Sequence, residues 1–216
     1  MKPSENTEQK ELFNRFLAEN NVSLAPETLA KLYAFADLVV ETKEFGNLIS
    51  PKDSEKILTR HIADSLVPFI HLSSLVSQRG DQLTRWADMG AGAGCPSFPL
   101  AIAMPQIQFY AVEPRTKRVQ FMQFVKEKLD LKNMTVVGKR FETAGLINLD
   151  FISCRALSTF ENDWERAKFN LKRGGCFVTL KSLETIMHLA SDPLNHITEY
   201  NLPLEERQYA LVHRFF

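Results

Sequence analysis

The chain has 216 residues, 44% of them hydrophobic, which is enough to bury one full core with a small additional subdomain. Lysine plus arginine and aspartate plus glutamate each number 26, so the formal net charge of zero argues against tight, purely electrostatic binding to naked nucleic acid. We expect no DNA partner. The three cysteines are far apart and include no CxxC pair, so their pattern indicates neither a disulfide framework nor a zinc site. The polar N-terminus is unlike a signal peptide, and no apolar run approaches the roughly 20 residues of a membrane span. We expect a cytoplasmic protein with no metal and no membrane partner.

Helical patterns fill the first part of the chain. Apolar residues recur at helical spacing in KELFNRFLAEN, PETLAKLYAFADLVVET and SPKDSEKILTRHIADSLVPFIHL. In the last of these segments, Ser50 is a candidate helix cap and Pro51 suits the first turn. We therefore predict a helical N-terminal cap over residues 1–80.

A second domain is predicted over residues 81–216. Short apolar runs, LTRWADM, IQFYAVE, MTVVG, DFISCRAL and GCFVTLK, alternate there with helical segments, above all TKRVQFMQFVKEKLDL. This alternation is typical of an α/β fold with a parallel sheet covered by helices. The C-terminal HITEYNLPLEERQYALVHRFF has two β runs with no helix between them, which predicts an antiparallel C-terminal strand pair.

A glycine-rich loop follows the first predicted strand, in TRWADMGAGAGCPSFPLAI (residues 84–102). The dinucleotide pattern G-x-G-x-x-G fails, because its third glycine falls on Cys95 or Ser97, and no GK[ST] follows for a phosphate-binding loop. An acidic residue followed by alternating glycines resembles instead the first motif of S-adenosylmethionine-dependent methyltransferases. An acidic partner such as Asp88 suits a sulfonium and an α-amino acid tail.

Glu113 ends the second predicted strand, about twenty residues after the glycine loop, which is the spacing at which a carboxylate reaches ribose hydroxyls. A solvated strand end is the alternative reading of this residue. The pairing with the glycine loop favours a nucleotide-type ligand.

Six segments occur in the same order as in one bacterial family. RHIADSL, DMGAGAGCPSFPLAIAMP, EPRTKRVQFMQFV, KRFE, SCRAL and LKRGGCFVTLK each resemble a segment of the 16S ribosomal RNA guanine-N7 methyltransferase G family, formerly glucose-inhibited division protein B. The resemblance runs from about Asn47 to the C-terminus. It implies a Rossmann-like class I methyltransferase sheet with a helical cap, S-adenosylmethionine as methyl donor, and N7 methylation of one guanine in the 530 loop of 16S rRNA in the small ribosomal subunit.

The resemblance also implies site residues. Cofactor contacts or loop-shaping roles fall on Asp88, Gly90, Gly92, Gly94, Cys95, Glu113, Phe141, Glu142 and Arg155. The RNA side would be bordered by Arg60, His61, Lys117, Arg118, Lys139 and Lys181. The loop departs from the usual family sequence, since Cys95 and Ser97 stand where a Leu-Pro-Gly run is common.

No catalytic residue is expected, because guanine N7 offers an in-plane lone pair without a proton and needs alignment but no general base. Arg155 is expected to hold the methionine carboxylate by a charge-assisted contact. Cys154 lacks the preceding proline typical of cysteine nucleophiles in cytosine methyltransferases and is interpreted as packing.

Local charge supports an RNA substrate despite the neutral total. Between Glu113 and Lys181 there are 14 lysines and arginines against 8 aspartates and glutamates. A methyl acceptor that carries phosphates would be drawn to such a region. Two alternatives stay open, a methyltransferase for a small-molecule acceptor and a non-catalytic RNA-binding relative, and we expect a monomer.

Overall fold

The computed structural model describes residues 2–78 and 83–216, and its centre is a seven-stranded sheet. The strand order is β3-β2-β1-β4-β5-β7-β6. Strands β1 to β5 pair in parallel, and β7 runs antiparallel to both β5 and β6. The strands are β1 (Arg85–Met89), β2 (Gln108–Val112), β3 (Met134–Val137), β4 (Leu149–Arg155), β5 (Leu171–Ser182), β6 (His196–Tyr200) and β7 (Tyr209–Phe215).

Eight α-helices surround the sheet in the described residues. They are α1 (Thr7–Glu19), α2 (Pro26–Glu41), α3 (Pro51–Ser54), α4 (Ala63–Ser77), α5 (Ser97–Ala103), α6 (Thr116–Lys128), α7 (Phe160–Ala167) and α8 (Leu183–Ile186). In the described residues, no helix combines the length and apolar character that crossing a membrane requires. The mostly parallel sheet with an antiparallel C-terminal pair confirms the predicted fold class.

Two hydrophobic clusters lie on the two faces of the sheet, because alternate side chains of each strand point to opposite sides. Trp86 stacks on Phe151 with ring centroids 4.5 Å apart, in the cluster that also contains the N-terminal helices. Their strand neighbours, Ala87 and Ile152, belong to the cluster on the other face. The sheet is therefore buried from both sides, as parallel sheets require.

The N-terminal helices share a continuous core with the sheet region. Phe35 of α2 stacks on Phe98 of α5, with ring centroids 5.7 Å apart and ring planes 8° apart, and both side chains are fully buried. The predicted domain boundary between residues 80 and 81 lies outside the described residues, and the division into cap and sheet domain stays a prediction.

The segment between α3 and α4 differs from the single helix that the sequence predicts. Ser50 caps α3 as expected, since its Oγ accepts the Asp53 N–H, but residues Ile57–Ile62 are π-helical. Gln9 of α1 explains the change: its Nε2 donates to Glu55 O at 2.6 Å, and its Oε1 accepts the Leu58 N–H at 3.2 Å. A side chain inserted into a helical ladder in this way is a common cause of distortion. The π-helical segment carries Arg60 and His61.

The Phe35–Phe98 stack gives a first prediction. Phe35→Ala leaves a cavity between α2 and α5, so we expect a loss of about 3–5 kcal/mol in the free energy of unfolding, measured by urea denaturation. Phe169→Ala removes a ring that is 75% exposed and serves as the control, with an expected change below about 1 kcal/mol. Equal losses in the two variants would show that the stack does not anchor the N-terminal helices.

Candidate functional site

The glycine loop connects β1 to α5 and turns sharply at its three glycines. Gly90, Gly92 and Gly94 all have positive φ, between +60° and +94°. A Cβ on Gly94 would lie 2.7 Å from the Phe98 ring, so both the backbone conformation and the packing of α5 require glycine there. The loop is held to the sheet by the N–H groups of Gly90 and Ala91, which both donate to Val112 O.

Asp88 lies beneath the loop and does not line a cavity wall. Its carboxylate is 1% exposed, and Oδ1 accepts a hydrogen bond from Ser153 Oγ at 3.1 Å. Burial raises the pKa of Asp88 to about 6, against the opposing effect of hydrogen bonds from Ser97 and Ser153. The structure therefore places Asp88 where it shapes the loop from behind.

Glu113 follows β2 directly and faces the glycine loop, as the strand-end spacing predicts. Its Oε2 accepts the Gly92 N–H at 3.0 Å and its Oε1 accepts the Arg115 N–H at 3.0 Å. Each carboxylate oxygen can accept more than one hydrogen bond. Glu113 is thus fixed in orientation and still able to accept hydroxyl groups of a ligand.

A cavity of about 950 Å³, here called the glycine-loop cavity, opens between this loop, Glu113 and the N-terminal helices. Most of the predicted cofactor residues line it, namely Gly90, Gly92, Cys95, Glu113, Phe141, Glu142 and Arg155. Gly94 and Asp88 are not among the described residues that line this cavity. The Phe141 ring supplies a buried apolar wall, whereas Glu142 is exposed and ion-paired to Arg166, with Nε and Oε1 2.5 Å apart.

A second cavity of about 820 Å³, the β4–β5 cavity, lies at the carboxyl ends of those strands. It shares a wall with the glycine-loop cavity, formed by His61, Arg155, Ala156 and Leu157. Leu157 also packs against the loop, because its Cδ1 lies 3.0 Å from the Cβ position of Gly90. The two cavities therefore adjoin at this shared wall.

Arg155 is the central side chain of the shared wall. Its Nη1 donates to Asp64 Oδ2 at 3.0 Å, and its Nη2 donates to His61 Nδ1 at 3.2 Å. Burial and the neighbouring Arg155 charge lower the pKa of His61 to about 4, so His61 is neutral at pH 7 and can accept this bond. Tyr200 donates to the other oxygen, Asp64 Oδ1, at 2.5 Å. The sequence analysis did not identify this partnership of Asp64 with Arg155. An acidic residue in an otherwise apolar helix is the signal that could have indicated a buried ion pair.

The six predicted RNA-side residues differ in their surroundings. Lys117 and Lys139 are exposed, and Arg118 lines the glycine-loop cavity. Arg60 lines the β4–β5 cavity but pairs with Glu205 Oε2 at 2.9 Å. Sequence reasoning did not identify Arg140, which is exposed on the wall of the glycine-loop cavity.

Lys181 differs most from its predicted role. Its side chain is only 9% exposed, and Nζ lies 3.1 Å from Asp163 Oδ2 and also donates to Ser158 O. Asp163 in turn accepts Ser158 Oγ at 2.7 Å. The Lys181 charge faces into the protein, where the ion pair holds the loop after β4.

The cysteines are free and buried, as expected of packing residues. Burial raises the pKa of the Cys154 thiol, so Cys154 is a thiol at neutral pH and not a nucleophilic thiolate. Cys95 lines the glycine-loop cavity, and burial raises its thiol pKa as well.

Comparison with known proteins decides the family. A family model described as rRNA small subunit methyltransferase G matches residues 28–207, most of the chain. The chain belongs to the rRNA small subunit methyltransferase G family.

Curated members of this methyltransferase G family are similar over most of their length. The Bacillus subtilis ribosomal RNA small subunit methyltransferase G is 29% identical over 210 residues, covering 91% of this chain and 85% of the relative. The relative of the same name from Aromatoleum aromaticum is 33% identical over 172 residues, covering 77% of this chain and 78% of its own. The Ectopseudomonas mendocina relative is 35% identical over 153 residues, covering 68% of this chain and 67% of the relative.

Solved structures show the same fold. A methyltransferase from Geobacter sulfurreducens superposes with a TM-score of 0.56 over 93% of this chain and 97% of that chain, at 17% identity. A SAM-dependent methyltransferase from Aquifex aeolicus gives a TM-score of 0.53 over 78% of this chain and 100% of that chain, at 15% identity. The fold of the methyltransferase G chain is therefore the Rossmann-like fold of S-adenosylmethionine-dependent methyltransferases.

The buried Asp88 predicts a pH-dependent stability. The folded state holds the Asp88 proton up to about pH 6, whereas the usual value is 3.8, so ionisation between these values opposes folding. As the pH rises through this window, wild type should lose about 3 kcal/mol of unfolding free energy relative to Asp88→Asn. Urea denaturation at intervals from pH 4 to pH 7 measures the difference.

Glu127→Gln, which removes an exposed carboxylate of α6, is the control for this series. A difference between wild type and Asp88→Asn that stays constant from pH 4 to pH 7 would contradict the raised pKa.

Proposed function

We propose that this chain transfers the methyl group of S-adenosylmethionine to N7 of a guanine in the 530 loop of 16S rRNA, within the small ribosomal subunit. The observation that carries the proposal is the pair of cavities that meet at Arg155 and Leu157. One cavity lies against a glycine loop and an acidic strand end, and the other has room for a base. Membership of the methyltransferase G family supports an rRNA acceptor.

The glycine-loop cavity fits the methyl donor. Its volume lies near the upper end of the roughly 300–1,000 Å³ typical of small-molecule sites. Glu113 would accept the ribose hydroxyls with the lone pairs that Gly92 and Arg115 leave free. Phe141 would cover the adenine. When bound, S-adenosylmethionine supplies an electrophilic methyl group on its sulfonium.

Arg155 would bind the carboxylate of the methionine end. A guanidinium has more N–H donors than its contacts with Asp64 and His61 use. Those two contacts orient the donors that remain, which supports a charge-assisted contact from Arg155 to the methionine carboxylate. Neutral His61 adds no competing positive charge.

The acceptor side needs positioning and no proton transfer. Guanine N7 carries no proton, so the β4–β5 cavity has to hold the base with N7 toward the shared wall and exclude water. Asp64, which lines the β4–β5 cavity beside Arg155, already accepts hydrogen bonds from Arg155 and Tyr200. This engagement suits a reaction without a general base.

Basic side chains around the two cavities would bind the RNA backbone. Lys117, Lys139 and Arg140 are exposed, and none of the ion pairs found in the described part of the chain includes them. Phosphate contacts of this kind fix orientation and make binding sensitive to salt. We further propose that the protein acts as a monomer in the cytoplasm, on the assembled small ribosomal subunit or on its precursor.

Methyl transfer to small ribosomal subunits tests the function. Subunits and protein-free rRNA from cells lacking the gene are incubated with labelled S-adenosylmethionine, and the RNA is cleaved chemically at N7-methylguanine. We expect label at one guanine of the 530 loop, and weaker labelling by Lys117→Glu, since a reversed charge weakens RNA binding. Donor binding without labelling of either substrate would favour a small-molecule acceptor, and absence of donor binding a non-catalytic RNA-binding relative.

Glu113→Ala gives a prediction for the cofactor site. Loss of the carboxylate removes the ribose contacts and releases Gly92, so we expect S-adenosylmethionine affinity to fall at least about tenfold by calorimetry. Glu127→Ala on α6 should bind the donor like wild type, and the far-UV spectra of both variants should be unchanged. Wild-type affinity in Glu113→Ala would remove this residue from the site.

A further inference from the structure

The β4–β5 cavity is also lined by a charged pair that lies outside the glycine-loop cavity. Glu161, in the first turn of α7, lines the cavity, and its Oε1 lies 2.9 Å from Nε2 of His188, which also lines it. Both side chains are more than half exposed to the cavity and solvent, at 54% for Glu161 and 62% for His188. The pair lies on the segments that follow β4 and β5, and neither residue belongs to the shared wall.

Glu161 is the carboxylate of this cavity that remains open to a ligand. Among the described residues lining the cavity, Asp64 is the other acid, and both of its oxygens already accept hydrogen bonds. The Glu161 carboxylate accepts from His188 at Oε1, but it is more than half exposed and its two oxygens together offer about four acceptor sites, so it remains open to a ligand. A hydrogen bond from its own backbone N–H and one from His188 hold the pKa of Glu161 below its usual value, so the side chain is charged.

Guanine chemistry fits a carboxylate at this position. Enzymes that modify a base take it out of the stack into a pocket and read its exposed Watson–Crick edge. Guanine N7 lies on the imidazole ring, and the N1–H and N2–H donors lie on the opposite side of the purine. With N7 at the shared wall formed by Arg155 and Leu157, the donor edge faces away from that wall. An ionised carboxylate accepts two neighbouring N–H groups at once, whereas the adenine edge offers no such donor pair.

We propose that Glu161 accepts the N1–H and N2–H groups of the target guanine and thereby selects guanine in the β4–β5 cavity. His188 is the positioning residue, because its Nε2 contact fixes the carboxylate. This inference rests on the proposed function and adds the group that recognises the base. Phe160, Leu180 and Ile186 give the cavity an apolar lining against which the base can pack.

Inosine tests the contact directly, because it keeps N7 and N1–H and lacks only the 2-amino group. Small subunits are reconstituted with 16S rRNA that carries guanosine or inosine at the target position, and kcat/KM for methyl transfer is measured for each. Wild type should prefer guanosine by about ten- to a hundredfold, the factor expected when one hydrogen bond to a charged acceptor is lost. In Glu161→Ala the guanosine rate should fall by a similar factor, and the two substrates should become nearly equal.

Glu165→Ala is the matched control on α7. Glu165 is exposed, lies outside the cavity and pairs with Lys168, so its removal should leave the preference for guanosine intact. Donor affinity and thermal stability are measured for both variants, and Glu161→Gln, which keeps the size but can accept only through its amide oxygen, should give an intermediate preference. A wild-type preference for guanosine in Glu161→Ala would overturn the assignment, as would equal wild-type rates on the two substrates. Failure of wild type to methylate N7 at all would refute the proposed function itself.

Discussion

The ion pair between Arg155 and Asp64 joins the N-terminal helices to the carboxyl end of β4 at the point where the two cavities meet. Asp64 is buried, and a buried charge is stable only with a partner of opposite charge and good geometry. Tyr200 of β6 completes the contact by donating to the second Asp64 oxygen. Residues of α4, β4 and β6 thus hold one guanidinium in place. These contacts restrict the movement of Arg155 in the shared wall of the two cavities.

Such rigidity matches the chemistry. Methyl transfer to a nitrogen lone pair gains from alignment of two bound partners and needs no proton carrier. The polar groups near the wall accordingly bind one another. Asp64 pairs with Arg155 and accepts a hydrogen bond from Tyr200, and Lys181 pairs with Asp163. The Lys181 pair holds the loop after β4, part of which lines the β4–β5 cavity. In the proposed reaction, the reacting atoms all belong to the two ligands, and the buried polar contacts of the protein only position those ligands.

Local sequence signals were enough to predict the sheet, the glycine loop and the place of Glu113, because strand periodicity and turn chemistry act over a few residues. The missed features depend on contacts between distant segments. Gln9 distorts a helix 46 residues away, and Asp64 finds its cation at Arg155, 91 residues on. The sequence predicts a surface charge at Lys181, whereas the fold pairs this residue with Asp163. No local pattern carries that information.

A crystal structure with S-adenosylhomocysteine tests the two-cavity arrangement most directly. The measured quantity is the position of the ligand sulfur relative to the shared wall. We predict the adenosine between Glu113 and Phe141, the carboxylate on Arg155, and the sulfur facing the β4–β5 cavity past Leu157. A ligand bound only in the β4–β5 cavity, or one whose sulfur points away from Leu157, would contradict the assignment of donor and acceptor sites.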